Sequence, residues 1–237
     1  MFSVQTLLVL SLGPGLLMTL FYLLVMPELL HHHLPPVWGQ MMAALVVIIP
    51  LELGILLITG KRIHGCYTLR GAVLYNEPLP LRQYLWLVPG AVLSALLLPG
   101  LVVWLEPWLQ KSLFSWLPAW FSTGISAINS YPPTIRWITF GLWIASLLLA
   151  GPIVEELYFR GFLLPRTPGG RLAPLINAWL FAIYHFWQPY TVLTVTLFAL
   201  PLAYLVWWRR NVYLSIIAHC TVNAFMFLSL VAGVIER

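Results

Sequence analysis

The chain has 237 residues, 61% of them hydrophobic and 8% charged, with a formal net charge of +5. A soluble domain carries about 25% charged residues, so this composition excludes one and specifies an integral membrane protein. The positive balance is the loop bias that orients membrane spans rather than a nucleic-acid surface, and two cysteines, Cys66 and Cys220, give no disulfide framework.

The length accommodates about seven helices of roughly 20 residues with short loops and no soluble domain beside them. The expected fold is all-α: a polytopic transmembrane helix bundle of about seven spans, forming one integral membrane domain over 1–237. Met1 to Met26 is apolar apart from Gly13-Pro14-Gly15 and is expected as the first span, kinked at Pro14. Its run is too long for a cleaved signal peptide. Pro27 to Pro36 is expected as a loop. It holds His31, His32 and His33, which suggest a metal site, but consecutive side chains on a helix do not share a face. Val37 to Thr59 is the second span and carries Glu52, for which a structural role is expected.

Gly60 to Arg82 carries Lys61, Arg62, Arg70 and Arg82 against Glu77 alone, the strongest sign of a cytoplasmic loop. Gln83 to Leu105 is the third span. Glu106 to Thr134 follows Trp104 and contains Trp108, Trp116 and Trp120, so an amphipathic segment lying on the outer surface is expected between spans 3 and 4. Ile135 to Leu164 is the fourth span, Pro165 to Arg171 a basic turn, Leu172 to Trp187 a short fifth span, Tyr190 to Trp208 the sixth and Asn211 to Ile235 the seventh. Basic loops at 60–82, 164–171 and 209–210 alternate correctly with seven spans, putting the N-terminus inside and the C-terminus outside.

Three constellations carry chemistry. Glu155 and Glu156 sit at the end of a long apolar run, and an acid within a membrane is a functional hypothesis by default. Glu156 and Arg160, four apart, can pair on one helix face, while Glu155 is rotated by about 100° and is left free. Phe181 and His185 are one turn apart, with Asn177 on the same stripe; His219 and Asn223 repeat that spacing on the last span. Taken singly, each has a bland reading: an interfacial charge cluster, a hydrogen-bonded bundle histidine, or interhelical polar glue. A rise of about 1.5 Å per residue puts Glu155 and His219 roughly 12–14 Å in from the cytoplasmic side and His185 about 3–5 Å deeper. An acid, two imidazoles and a carboxamide in one layer suit hydrolysis. A carboxylate and an imidazole can polarise water, and a second imidazole and an amide can stabilise an oxyanion.

The ordered set EExxxR, FxxxH and HxxxN, with Phe159-Arg160-Gly161 following the acids, resembles the CPBP family of CAAX proteases and bacteriocin-processing enzymes, also called the ABI family and related to Rce1-type endopeptidases. The resemblance covers about residues 135–235, the expected catalytic core; the helices of 1–134 match in character only. It implies an intramembrane glutamic endopeptidase without metal or cofactor. Glu155 and His185 would activate water, His219 and Asn223 would form the oxyanion hole, and Glu156, Arg160 and Phe181 would support them. The implied partners are the bilayer and a peptide or protein substrate, lipidated or not, with no nucleic acid. A compact chain of this kind points to a bacterial plasma membrane. The rivals are a zinc-dependent intramembrane protease, with Glu, His and His as ligands; a non-catalytic scaffold or bacteriocin-immunity protein; and a transporter with a buried proton relay.

Overall fold

The computed structural model describes residues 1–121 and 125–235. Among them six helices are long and apolar enough to cross a bilayer, accompanied by one shorter apolar helix. In chain order they are α1 (Val4–His31), α2 (Val37–His64), α3 (Leu81–Gly100), the short α4 (Glu106–Ser112), α5 (Pro133–Arg166), the shorter apolar α6 (Gly170–Ile183), α7 (Val192–Arg209) and α8 (Tyr213–Ile235). Large apolar side chains such as Leu16, Leu20 and Leu24 on α1, Leu85, Leu93 and Leu97 on α3, and Phe225 and Leu228 on α8 are exposed. In a soluble protein such patches would be a liability; here they are the surface that meets acyl chains.

α1 does not stop at Met26. It runs through Pro27 to His31, since a proline costs one ladder bond and here it comes just over a turn before the helix end. The expected loop of histidines is therefore partly helix. Glu28 and His32 become an exposed i,i+4 pair at 2.9 Å, with the His31 ring 4.9 Å from that of His32. The segment after α3 carries α4 and leaves Trp104, Trp108 and Trp116 exposed. Ser122, Thr123 and Gly124, part of the same expected surface segment, lie outside the described residues.

The three basic loops meet at one end of the bundle. The Arg166 guanidinium donates to the carbonyls of Ala72 at 2.9 Å and Gly71 at 3.0 Å. Arg210 reaches the Tyr75 hydroxyl at 2.6 Å, and the Asn211 amide donates to the Glu77 carbonyl at 2.7 Å. The N-terminus joins them, with the Phe2 amide donating to the Arg166 carbonyl. At the other end, Tyr22 and Tyr190 donate to the carbonyls of Trp120 and Phe121, and Asn129 donates to the Gly233 carbonyl.

α5 runs through the middle, packed against α2, α6 and α8. Its helix is irregular in a way the prolines explain. Wide turns with five-residue hydrogen bonds occur at Ala44–Ile48 in α2 and at Ile144–Ala150 and Leu157–Leu163 in α5. The residue closing each one, Ile49, Gly151 or Leu164, directly precedes a proline, and its N–H reaches five residues back. Proline lacks the next donor and its ring pushes on the carbonyl one turn earlier, so the ladder slips by one residue upstream. Gly151 permits this closely, because a Cβ there would lie 2.5 Å from the Ser146 carbonyl. The slipped stretches of α2 and α5 pack on each other, which brings Glu52 to the level of Glu155.

Candidate active site

The two adjacent acids of α5 separate as their 100° offset requires. Glu156 is fully buried and its Oε1 faces both Arg160 Nη1 at 3.2 Å and His219 Nδ1 at 3.0 Å. Arg160, also fully buried, lies with its guanidinium over the Phe181 ring, 4.2 Å from the centroid. A buried acid between a guanidinium and an imidazole satisfies the rule that charges at membrane depth are paired. The Ser215 hydroxyl, one turn before His219 on α8, also neighbours Glu156.

Glu155 is only partly buried. Its Oε1 accepts from the Tyr184 hydroxyl at 3.3 Å, and it lies close enough to His219 and Arg160 for direct charge interaction. His185 in turn neighbours His219 and Arg160. Glu155, His185 and His219 therefore share one electrostatic neighbourhood contributed by three elements. No direct hydrogen bond joins Glu155 to His185 among the described residues.

His185 is not on a helix. α6 ends at Ile183, and His185 stands in the turn before Gln188-Pro189, where the backbone must extend ahead of the proline. The turn aims the ring. The His185 Nδ1–H donates to the Phe181 carbonyl at 2.7 Å, so a neutral imidazole carries its free lone pair on Nε2. His219 is held likewise, with Nδ1–H on Glu156 and Nε2 left over. Phe181 explains its place in the motif: its ring centroid is 4.9 Å from that of His185 and 6.4 Å from that of His219, besides carrying Arg160. Asn177 serves the scaffold, its amide donating to the Phe159 carbonyl in the second wide turn of α5.

Asn223 lies one turn beyond His219, but its amide Nδ2 donates to the Leu147 carbonyl at 2.7 Å, within the first wide turn of α5. One of its two N–H groups is thereby committed to the scaffold and one is left. Two residues escaped the sequence reading. Tyr184 lies within the FxxxH motif at a position that pattern leaves open, and Ser215 extends the stripe His219, Asn223 by one turn. Glu52, expected as structural, is fully buried beside Glu155 and Tyr184. As for metals, among the described residues the grouping of His and carboxylate donors within 4.8 Å of one another is Glu28, His31 and His32 at the exposed end of α1, not the set around Glu155.

Helices of this length and apolarity, with ionisable groups paired at depth, define an integral, multi-pass membrane protein with a buried polar site. Residues 137–225 match the family model described as type II CAAX prenyl endopeptidase Rce1-like, so the resemblance to the CPBP family is borne out over the segment that holds every residue of the EExxxR, FxxxH and HxxxN motifs. That family is one of CAAX-type intramembrane proteases. No curated protein and no solved structure matches the chain.

Proposed function

We propose that this chain is a metal-independent glutamic endopeptidase that cuts a peptide bond near the C-terminus or leader of a membrane-associated substrate. The observation that carries this reading is the division of labour between neighbouring acids. Glu156 is locked between Arg160 and His219, whereas Glu155 is partly accessible and bound only by a phenol hydroxyl. In the reaction, His185 Nε2 and Glu155 orient one water, and Glu155 takes its proton as the oxygen attacks the scissile carbonyl carbon. The C=O electron pair moves to oxygen. That oxyanion accepts from His219 Nε2–H and from the uncommitted N–H of Asn223. His219 makes that donation as an imidazolium already formed beside Glu156, its Nδ1–H on that carboxylate, so no proton is acquired in this step. As the oxyanion pair re-forms C=O and the C–N bond breaks, Glu155 returns the proton to the departing amide nitrogen, leaving a carboxylic acid and an amine, the acid proton then passing to the amine.

The orientation that fits is the one with the basic end of the bundle in the cytoplasm, the N-terminus with it and the C-terminus outside. A prenylated CAAX tail or a leader peptide could both reach a site on that side, in a bacterial plasma membrane. Membranes carrying the active chain or Glu155→Ala are to be compared for peptide termini. A terminus present only with the active chain, and unaffected by chelators, supports the reading. Loss of that terminus on chelation with recovery on added zinc supports the metal-dependent rival instead. Identical termini from the two membranes overturn the protease assignment.

A further inference from the structure

Glu52 is the one acid of this layer that the proposed chemistry leaves unused. It belongs to α2, outside the segment that carries the motifs, and its side chain has no exposure at all. Among the described residues neither carboxylate oxygen has a hydrogen bond of good geometry. The titratable and charged groups facing it are Tyr184 from the turn after α6 and Glu155, Tyr158 and Arg160 from α5. Tyr158 spends its hydroxyl proton on the Leu10 carbonyl at 2.8 Å. Arg160 faces Glu156 at 3.2 Å. Tyr184 remains.

The layer thus holds three carboxylates, Glu52, Glu155 and Glu156, around a single guanidinium. Glu156 has the guanidinium and an imidazole within contact distance, and among the described residues Glu52 has neither. An ionised Glu52 would be a bare charge at membrane depth beside a second one, which is costly by several kcal/mol. Tyr184 has one proton to give and gives it to Glu155. What the same oxygen can offer Glu52 is a lone pair, and only a protonated carboxyl can use it. Tyr184 is held firmly for this purpose. α1 approaches it so closely that a Cβ on Gly15 would lie 2.0 Å from the Tyr184 carbonyl.

We infer that Glu52 is a positioning residue for Glu155: its carboxyl O–H donates to Tyr184 Oη, Tyr184 O–H donates to Glu155, and the single negative charge of the two acids rests on Glu155. The inference rests on the proposed role of Glu155 as base. It gives α2 a part in the chemistry, and it involves no covalent step, only one proton shared by two acids in a chain with fixed direction.

The test uses the full chain in lipid nanodiscs with an internally quenched farnesylated CAAX peptide. Glu52→Leu is expected to lower kcat by at least about tenfold with KM unchanged, and Glu52→Gln, which keeps a neutral donor, to recover to within about threefold of the parent. Tyr184→Phe is expected to match Glu52→Leu, and the double variant to be no slower than either, since both break one chain. Glu52→Leu at the parent rate, or Glu52→Gln as slow as Glu52→Leu, overturns the inference. An infrared measurement covers a variant that folds poorly or a peptide that is not cut. At neutral pH a protonated-carboxyl C=O band is expected in the parent and not in Glu52→Gln; identical spectra overturn the inference. An active Glu155→Gln removes the base assignment and this inference together, whereas an inactive Glu155→Gln beside a fully active Glu52→Leu removes this inference alone.

Discussion

Two sides of one site differ in almost every physical respect. On the Glu156 side, acid, guanidinium and imidazole are buried and in contact, and the Phe181 ring closes the group. On the Glu155 side, a partly accessible acid meets a single phenol, with a second, unpaired acid behind it. The first arrangement spends its charges on one another and can support the fold. The second leaves a carboxylate with little to bind, which is the state a general base needs. The comparison teaches that adjacent identical residues in a membrane acquire opposite surroundings from one helical step of rotation.

The largest effect should come from breaking the buried side. Arg160→Ala leaves Glu156 buried with His219 as its remaining ionic partner and is expected to lower stability by about 3 kcal/mol, read as a large drop in thermal unfolding temperature in detergent. Phe181→Leu keeps the bulk but removes the ring face under Arg160; a loss of about 1–2 kcal/mol is expected, with turnover falling beyond the loss of folded protein because both imidazoles lean on that ring. Gly15→Ala drives α1 into the Tyr184 carbonyl and should cost roughly 1–3 kcal/mol by overpacking. If Gly15→Ala unfolds like the parent, the close approach of α1 is wrong. The smallest effect belongs to an exposed pair: Glu28→Ala breaks the contact with His32 and should change stability by less than about 1 kcal/mol. A loss as large as that of Arg160→Ala would mean that burial is not what separates the two pairs.

Much of this was legible in the sequence for local reasons. Glu156 and Arg160 are four apart and pair as spacing alone requires, even where the helix begins to widen. The basic loops at 60–82, 164–171 and 209–210 do gather at one end. What was not legible depends on prolines and on tertiary approach. α6 ends at Ile183, two residues short of His185, so a residue that helical spacing alone would put on the helix is aimed by a turn. Pro27, a helix end by local pattern, is passed through by α1. Pro50, Pro152 and Pro165 each slip the hydrogen-bond ladder, and two of these slips set the mutual level of α2 and α5. Glu52 is 103 positions before Glu155 in the chain, and no local pattern joins them; only the packing of those two helices does. The spacing to His219 singles out Asn223, but its carbonyl partner Leu147 on α5 follows from tertiary packing alone.

The central claim is that Glu155 acts and Glu156 supports. It is tested most directly by the turnover of Glu155→Gln on the quenched farnesylated peptide, measured with its unfolding temperature. Removal of a general base is expected to lower kcat by about 10²–10⁴-fold at an unfolding temperature equal to the parent's. Turnover that falls only in step with the folded fraction, or that persists at the parent rate, would contradict the account.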